Sequence, residues 1–140
     1  MFYVIIEFMK KGYVVNLEKE TVVNTDFRRV LYTAEHLQLV LMSLLPKEDI
    51  GEEIHKLDQF IRVDHGVATV VLNGETQHVA DGYAVIIPAG TRHNIINDSE
   101  DTALKLYTVY GPPEHVDGTI HKTKADVPVP EKDFDGKTTE

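Results

Sequence analysis

Residues 82–97 read GYAVIIPAGTRHNIIN, and this stretch decides the architecture. Tyr83, Ala84, Val85, Ile86 and Ile87 form an apolar, β-branched run that Gly82 opens and Pro88 closes, the composition and punctuation of a short strand. Pro88-Ala89-Gly90 is turn chemistry that re-aims the chain. A second run covers 91–97, and because successive side chains on a strand alternate between faces, His93, Ile95 and Asn97 share one.

The same grammar extends outward. Upstream, Asn73-Gly74 joins runs at 67–72 and 75–79. Both residues tolerate the positive φ of a type I′ turn, so this is the strongest hairpin signal in the chain. Further upstream a run from 53 to 65 is broken by Gly66, and 46–49 is a charged turn. The runs 27–32 and 37–44, joined by 33–36, predict another hairpin. Within 37–44 both faces are apolar, as in a strand buried between two layers. Downstream, a polar loop at 98–101 leads to a last run at 103–110. Helical periodicity is weak: 16–20 predicts one capped turn and little else has period 3.6. Short strands between Gly, Asn and Asp turns predict an all-β antiparallel sandwich or barrel. After Gly111-Pro112-Pro113 the pattern fades, and 122–140 is charged and Pro-containing. The expected division is an N-terminal segment over 1–24, a β-barrel over 25–112, and a C-terminal arm and tail over 113–140, mobile beyond Val129.

Composition narrows the function classes. The 140 residues fit one domain. There are 14 Lys+Arg against 23 Asp+Glu, a formal net charge of -9. That balance excludes nucleic acid or an anionic membrane face as the main partner, since both need a basic footprint. No Cys is present, which removes disulfides, thiolate metal sites and Cys nucleophiles. Seven His beside many carboxylates leave room for a metal site of nitrogen and oxygen ligands. The opening MFYVIIEF is far short of the ~20 residues of a membrane-spanning helix and lacks the basic n-region of a secretory signal. It is expected to be an N-terminal strand, or an upstream extension if translation starts at Met9. The expected location is the cytoplasm.

Candidate ligands follow from parity. Residues 51–59 read GEEIHKLDQ. If that strand is unbroken, Glu53, His55, Leu57 and Gln59 share a face, and if the two strands line one barrel, Glu53, His55, Gln59 and His93 can converge. Two imidazoles, one carboxylate and one amide oxygen suit one divalent transition metal: Mn, Fe, Co, Ni or Zn. A second acid/His cluster, His115 to His121, follows the Gly-Pro-Pro. It is expected to be an arm packed over the barrel, or a lid that supplies His115 or His121 as acid/base. His36, His65 and His78 are expected at the surface. Arg62 and Arg92 are possible anion clamps, although Arg92 should point away from His93.

These motifs resemble the cupin superfamily. Its second motif, G-x5-P-x-G-x2-H-x3-N, is matched at every fixed position by Gly82, Pro88, Gly90, His93 and Asn97. Its first, G-x5-H-x-H-x3,4-E-x6-G, is matched in part: Gln59 stands at the Glu position seven before Gly66, His55 at the second His and Glu53 at the first. The opening Gly has no clear counterpart, although Gly51 lies nearby. The wording through Tyr110-Gly-Pro-Pro-Glu-His looks like small single-domain cupins of the mannose-6-phosphate-isomerase-like type. The resemblance implies a jelly-roll-like antiparallel β-barrel with a divalent metal near one mouth, often as a homodimer, here paired through N-terminal strands. It implies a metal-dependent enzyme, sugar-isomerase-like or dioxygenase-like, on a small polar or carbonyl-bearing molecule, with Glu53, His115 and His121 as catalytic candidates. The usual ligand set is three His and one Glu, so the carboxylate survives here at a different ligand position. A non-catalytic metal- or ligand-binding module and a structural homodimer with a vestigial site are the competing readings.

Overall fold

A computed structural model describes residues 9–140 of the chain. The strand expected over 1–8, and the dimer pairing through it, lie outside the described residues. Helix α1 (Leu17–Val23) starts where Asn16 accepts a hydrogen bond from the Lys19 N–H at 3.3 Å, the ordinary N-cap geometry. It runs beyond the single expected turn because Thr21 is fully buried against the strands beneath and anchors its far end.

Nine strands follow: β1 (Arg28–Thr33), β2 (Gln38–Leu44), β3 (Asp58–His65), β4 (Val67–Leu72), β5 (Glu75–Ala80), β6 (Ala84–Ile87), β7 (His93–Asn97), β8 (Leu104–Gly111) and β9 (Ile120–His121). Every pairing is antiparallel. The strands make a six-stranded sheet in the order β6-β3-β8-β2-β1-β9 and a three-stranded sheet in the order β5-β4-β7. This is a jelly-roll sandwich of two sheets. This is the antiparallel jelly-roll expected from the sequence; among the described residues the two sheets share no strand pairing, so it is an open sandwich rather than a closed hydrogen-bonded barrel. The inward positions fill the core: Val40, Met42 and Leu44 from β2, Ile61 and Val63 from β3, Val70 from β4, Ile95 from β7 and Leu106 from β8. Strand β8, at the centre of the large sheet, alternates between buried and half-buried residues along its whole length. In β2 consecutive residues on both faces are buried, because α1 lies against the outer side of β2, β3 and β8. The Asn73-Gly74 turn has positive φ at both residues, 48° and 84°. Among the described residues no helix is long and apolar enough to cross a membrane.

Two sequence-based expectations change. The 53–65 run is not one strand: β3 begins at Asp58, and Glu53 sits in an isolated bridge with His93. The 88–90 turn takes the place of a neighbouring strand there. The Gly90 N–H donates to the His55 carbonyl at 2.8 Å, and the Ala89 N–H donates to Asp58 Oδ1 at 2.9 Å. Alternation survives the bend: His55, Leu57 and Gln59 are buried while Ile54, Lys56 and Asp58 are exposed. The segment beyond Val129, expected to be mobile, is instead tied to the sandwich. Glu131 pairs with Arg28 at 3.2 Å, and the Phe134 and Thr139 N–H groups donate to the Glu114 and Thr33 carbonyls, each at 2.9 Å. Hydropathy cannot register this docking, because its contacts are polar.

Candidate metal and ligand site

Strand pairing assembles the site. Glu53 and His93 exchange reciprocal backbone hydrogen bonds, each 2.9 Å, so they are directly opposed and their side chains rise on the same side. His55, two residues on from Glu53, is on that side by alternation. Gln59 enters from β3, opposite Ile87 of β6 and Tyr110 of β8. The structure thus brings Glu53, His55, Gln59 and His93 together at one end of the sandwich.

His55 is the hub. Its Nε2 lies 2.7 Å from Glu53 Oε2 and its Nδ1 lies 3.1 Å from Gln59 Oε1. The Gln59 amide nitrogen donates to Thr108 Oγ1 at 3.0 Å, which fixes the amide with its oxygen toward the ring. His93 Nδ1 is 2.8 Å from the Thr91 carbonyl. A carbonyl only accepts, so Nδ1 carries the hydrogen and Nε2 holds the lone pair. The two imidazole centroids are 5.0 Å apart, edge to face, and Tyr110 meets His55 edge-on at 5.8 Å. Burial pushes the Glu53 carboxyl up, but the His55 hydrogen bond and the His55, Arg28 and His93 charges overcome it and hold the group below its ordinary range. Burial likewise opposes charge on His55, and its bond to Glu53 reverses that and raises it.

Among the described residues no three His, Asp or Glu side chains form a ready-made metal cage. Glu53 and His55 are hydrogen-bonded to each other. The donor chemistry nevertheless fits a borderline divalent cation. Both imidazoles have Nδ1 tied to an acceptor and Nε2 directed elsewhere, the outer hydrogen-bonding that metal-ligating histidines require. Glu53, His55 and His93 would be the residues to hold such a cation, which would supply Lewis-acid chemistry beside the cleft.

Beside His55 opens a cleft of about 390 Å³, walled by Ile54, Pro112, Pro113 and Phe134, with Lys56, Glu114 and Asp133 as its charged residues. Burial pushes the Glu114 carboxyl above its ordinary value, and Asp133 and Glu53 add to this while His55 opposes. A second cleft of about 290 Å³ borders Glu53 on the side of Arg28, Lys124 and Glu131.

The C-terminal histidines lie elsewhere. His115 is buried, with Nδ1 3.1 Å from Glu131 Oε1 and Nε2 3.4 Å from the Tyr110 hydroxyl. His121 Nδ1 is 3.4 Å from Arg28 Nη1. Neither lines the cleft beside His55. His36, His65 and His78 are exposed on the surface. Arg62 pairs with Asp64 and Arg92 with Glu52, so neither points toward the cluster as a free clamp.

Sequence reasoning missed Glu114, Thr108 and Arg28. Glu114 had one signal, its place after a Pro-Pro pair that directly follows β8. Thr108 and Arg28 had none beyond strand parity.

The comparisons agree with the fold. A family model described as "Cupin domain" matches residues 40–110. The uncharacterized protein YrkC of Bacillus subtilis is 45% identical over 127 residues, covering 86% of this chain and 68% of that protein. The uncharacterized protein L612 of Acanthamoeba polyphaga mimivirus is 52% identical over 112 residues, covering 77% and 70%. The crystal structure of BH2720 from Bacillus halodurans superposes with a TM-score of 0.81 at 47% identity, covering 85% of this chain and 95% of that one. On the fold, the motif residues and these relatives together, the chain belongs to the cupin-domain family.

Proposed function

We propose that this cupin binds one divalent transition metal through Glu53, His55 and His93 and acts on a small polar or carbonyl-bearing molecule entering the cleft beside His55. The observation that carries the reading is the tying of both Nδ1 atoms, by the Thr91 carbonyl and by Gln59 Oε1, which leaves both Nε2 atoms for a cation beside the Glu53 carboxylate. When bound, such a cation is a Lewis acid that polarises a carbonyl or hydroxyl oxygen. Gln59 orients the His55 ring in this reading. Glu53 serves as ligand, with the remaining carboxylate oxygen free to hold a proton. Isomerase-like and dioxygenase-like chemistry both fall within the proposal, the second only with iron. The Glu131 contacts of His115 and His121 favour a role for both in docking the arm.

Elemental analysis of untagged protein tests this. One equivalent of Mn, Fe, Co, Ni or Zn is expected, lost in His93→Ala. A second reading, a ligand-binding or structural module with a vestigial site, draws on the 2.7 Å Glu53–His55 contact, which satisfies both groups without a cation. Protein that holds no stoichiometric metal, and takes up neither Mn(II) nor Zn(II) in calorimetry, favours that reading and sinks the first.

A further inference from the structure

Glu114 stands apart from the other carboxylates near the cluster. Its backbone is fixed at both ends: the N–H donates to Gln38 Oε1 at 3.2 Å, and the carbonyl accepts from the Phe134 N–H at 2.9 Å. Gln38 is itself fully buried, held by Thr33 Oγ1 and the His115 carbonyl. The Pro112-Pro113 pair before it restricts the chain further. Glu53 is taken by His55, and Glu131 by Arg28 and His115. The Glu114 carboxylate makes no hydrogen bond or ion pair with any described residue, yet it is half-buried in the cleft that contains His55. A carboxyl without a partner, on a rigid backbone, in a partly apolar cleft beside an imidazole has the placement a proton-transfer group needs.

We propose that Glu114 is the proton-transfer residue of this cleft, working on a small uncharged hydroxycarbonyl compound whose apolar side lies on Pro112, Pro113 and Phe134. The proposal rests on the reading of the cleft as the ligand site. An uncharged ligand is indicated because Glu114 and Asp133 repel an anion in this cleft, while the Lys56 ammonium disfavours a cation. In the step, a carboxylate oxygen of Glu114 takes the proton from the carbon next to the carbonyl. The C–H electron pair becomes the C=C bond of an enediolate, and the carbonyl π pair moves to its oxygen, which takes the negative charge that Glu114 gives up. The same carboxyl, now protonated, returns its proton to carbon while the oxygen pair re-forms the carbonyl, with no net oxidation.

The test uses the protein as purified, with its metal content measured in the same samples. Glycidol, a small uncharged epoxide, is the covalent probe. Attack of the Glu114 carboxylate on a ring carbon breaks the ring C–O bond, and the alkoxide takes a proton from water. Peptide mass spectrometry is expected to find Glu114 esterified several times faster than the exposed Glu18 and Glu75, with the label at that position lost in Glu114→Gln. Dihydroxyacetone in D2O is the second probe: exchange of its carbon-bound hydrogens, read by proton NMR, is expected to fall about a hundredfold in Glu114→Gln and to recover in part in Glu114→Asp. Uniform labelling of exposed carboxylates, or exchange no faster than buffer in metal-replete protein, overturns the proposal. Wild-type protein that holds no metal and takes up neither Mn(II) nor Zn(II), yet still labels selectively at Glu114, overturns the metal reading alone.

Discussion

His55 Nε2 and Glu53 Oε2 lie 2.7 Å apart, on the edge of the ring opposite the one that Gln59 holds at 3.1 Å. The pair is either a proton-sharing dyad or two arms of a metal site, and the two roles respond differently to substitution. If Glu53 is a ligand, Glu53→Gln weakens metal retention about 10-fold or more, and Gln59→Leu, which frees the far edge of the ring, weakens it by about the same factor. Competition with a chromophoric chelator measures both. Unchanged retention in Glu53→Gln makes Glu53 a bystander.

Gly66 sits between β3 and β4 with φ +113°, and a Cβ there would stand 3.2 Å from the Leu104 Cα and 3.3 Å from the Ala103 carbonyl oxygen. Gly51 has a similar φ of +109° with nothing within 4 Å of the same position. Comparing the two separates backbone strain from contact. Gly51→Ala is expected to cost about 1 kcal/mol from φ alone, and Gly66→Ala about 3 kcal/mol, since Leu104 is fully buried and cannot retreat. Equal shifts of the urea midpoint would show that the Leu104 contact is relieved elsewhere.

Asn97 matches the last fixed position of the second motif, and the structure shows what it holds. Its amide nitrogen donates to the Leu44, Leu45 and Thr102 carbonyls at 3.1, 3.1 and 2.9 Å, and its oxygen accepts from the Ser99 N–H at 3.0 Å. It therefore links the end of β2, the 98–101 loop and the approach to β8. Asn97→Ala strands these groups in a fully buried place and is expected to cost about 2–4 kcal/mol. Thermal unfolding measures the loss. A cost under about 1 kcal/mol would mean that water replaces the amide.

The reasons these features were readable differ. The turns announced themselves because Asn73-Gly74 and Pro88-Ala89-Gly90 impose backbone geometry locally, and local geometry is what a single sequence carries. Parity placed His55 and Gln59 on a common inward face even though the strand was interrupted, because the bend at 54–57 preserves alternation. The interruption itself depends on the Gly90 N–H finding the His55 carbonyl across 35 positions, which no local pattern encodes. The tail illustrates the opposite limit. Its docking rests on Glu131 reaching Arg28, which is 103 positions away, and its low hydropathy pointed toward disorder. Glu114 was missed because an acidic residue after a proline pair has no periodicity to reveal which wall of a cleft it joins.

The Arg28–Glu131–His115 cluster yields a pH prediction. Burial, aided by the Arg28 charge and opposed by Glu131, holds His115 below its ordinary 6.5, and burial and Arg28 do the same to His121. The unfolded chain therefore takes up protons below pH 6.5 that the folded chain refuses, and stability falls as pH drops through that value. Burial raises Glu131, but the His115 hydrogen bond and the Arg28 charge prevail and depress it below 4.5. Its contribution is complete above that value and is lost below it. Urea titrations at about pH 7.5, 5.5 and 4 should show a first decline that is shallower in His115→Gln and a second that is shallower in Glu131→Gln. Glu131→Gln should also cost about 3 kcal/mol at neutral pH, because the Arg28 charge, only 4% exposed, loses its counter-charge. His55, whose raised value acts in the opposite sense, is common to both proteins, so an identical change between the two higher pH values in wild type and His115→Gln would mean that His115 titrates alike folded and unfolded, and that the arm is not held in the way described.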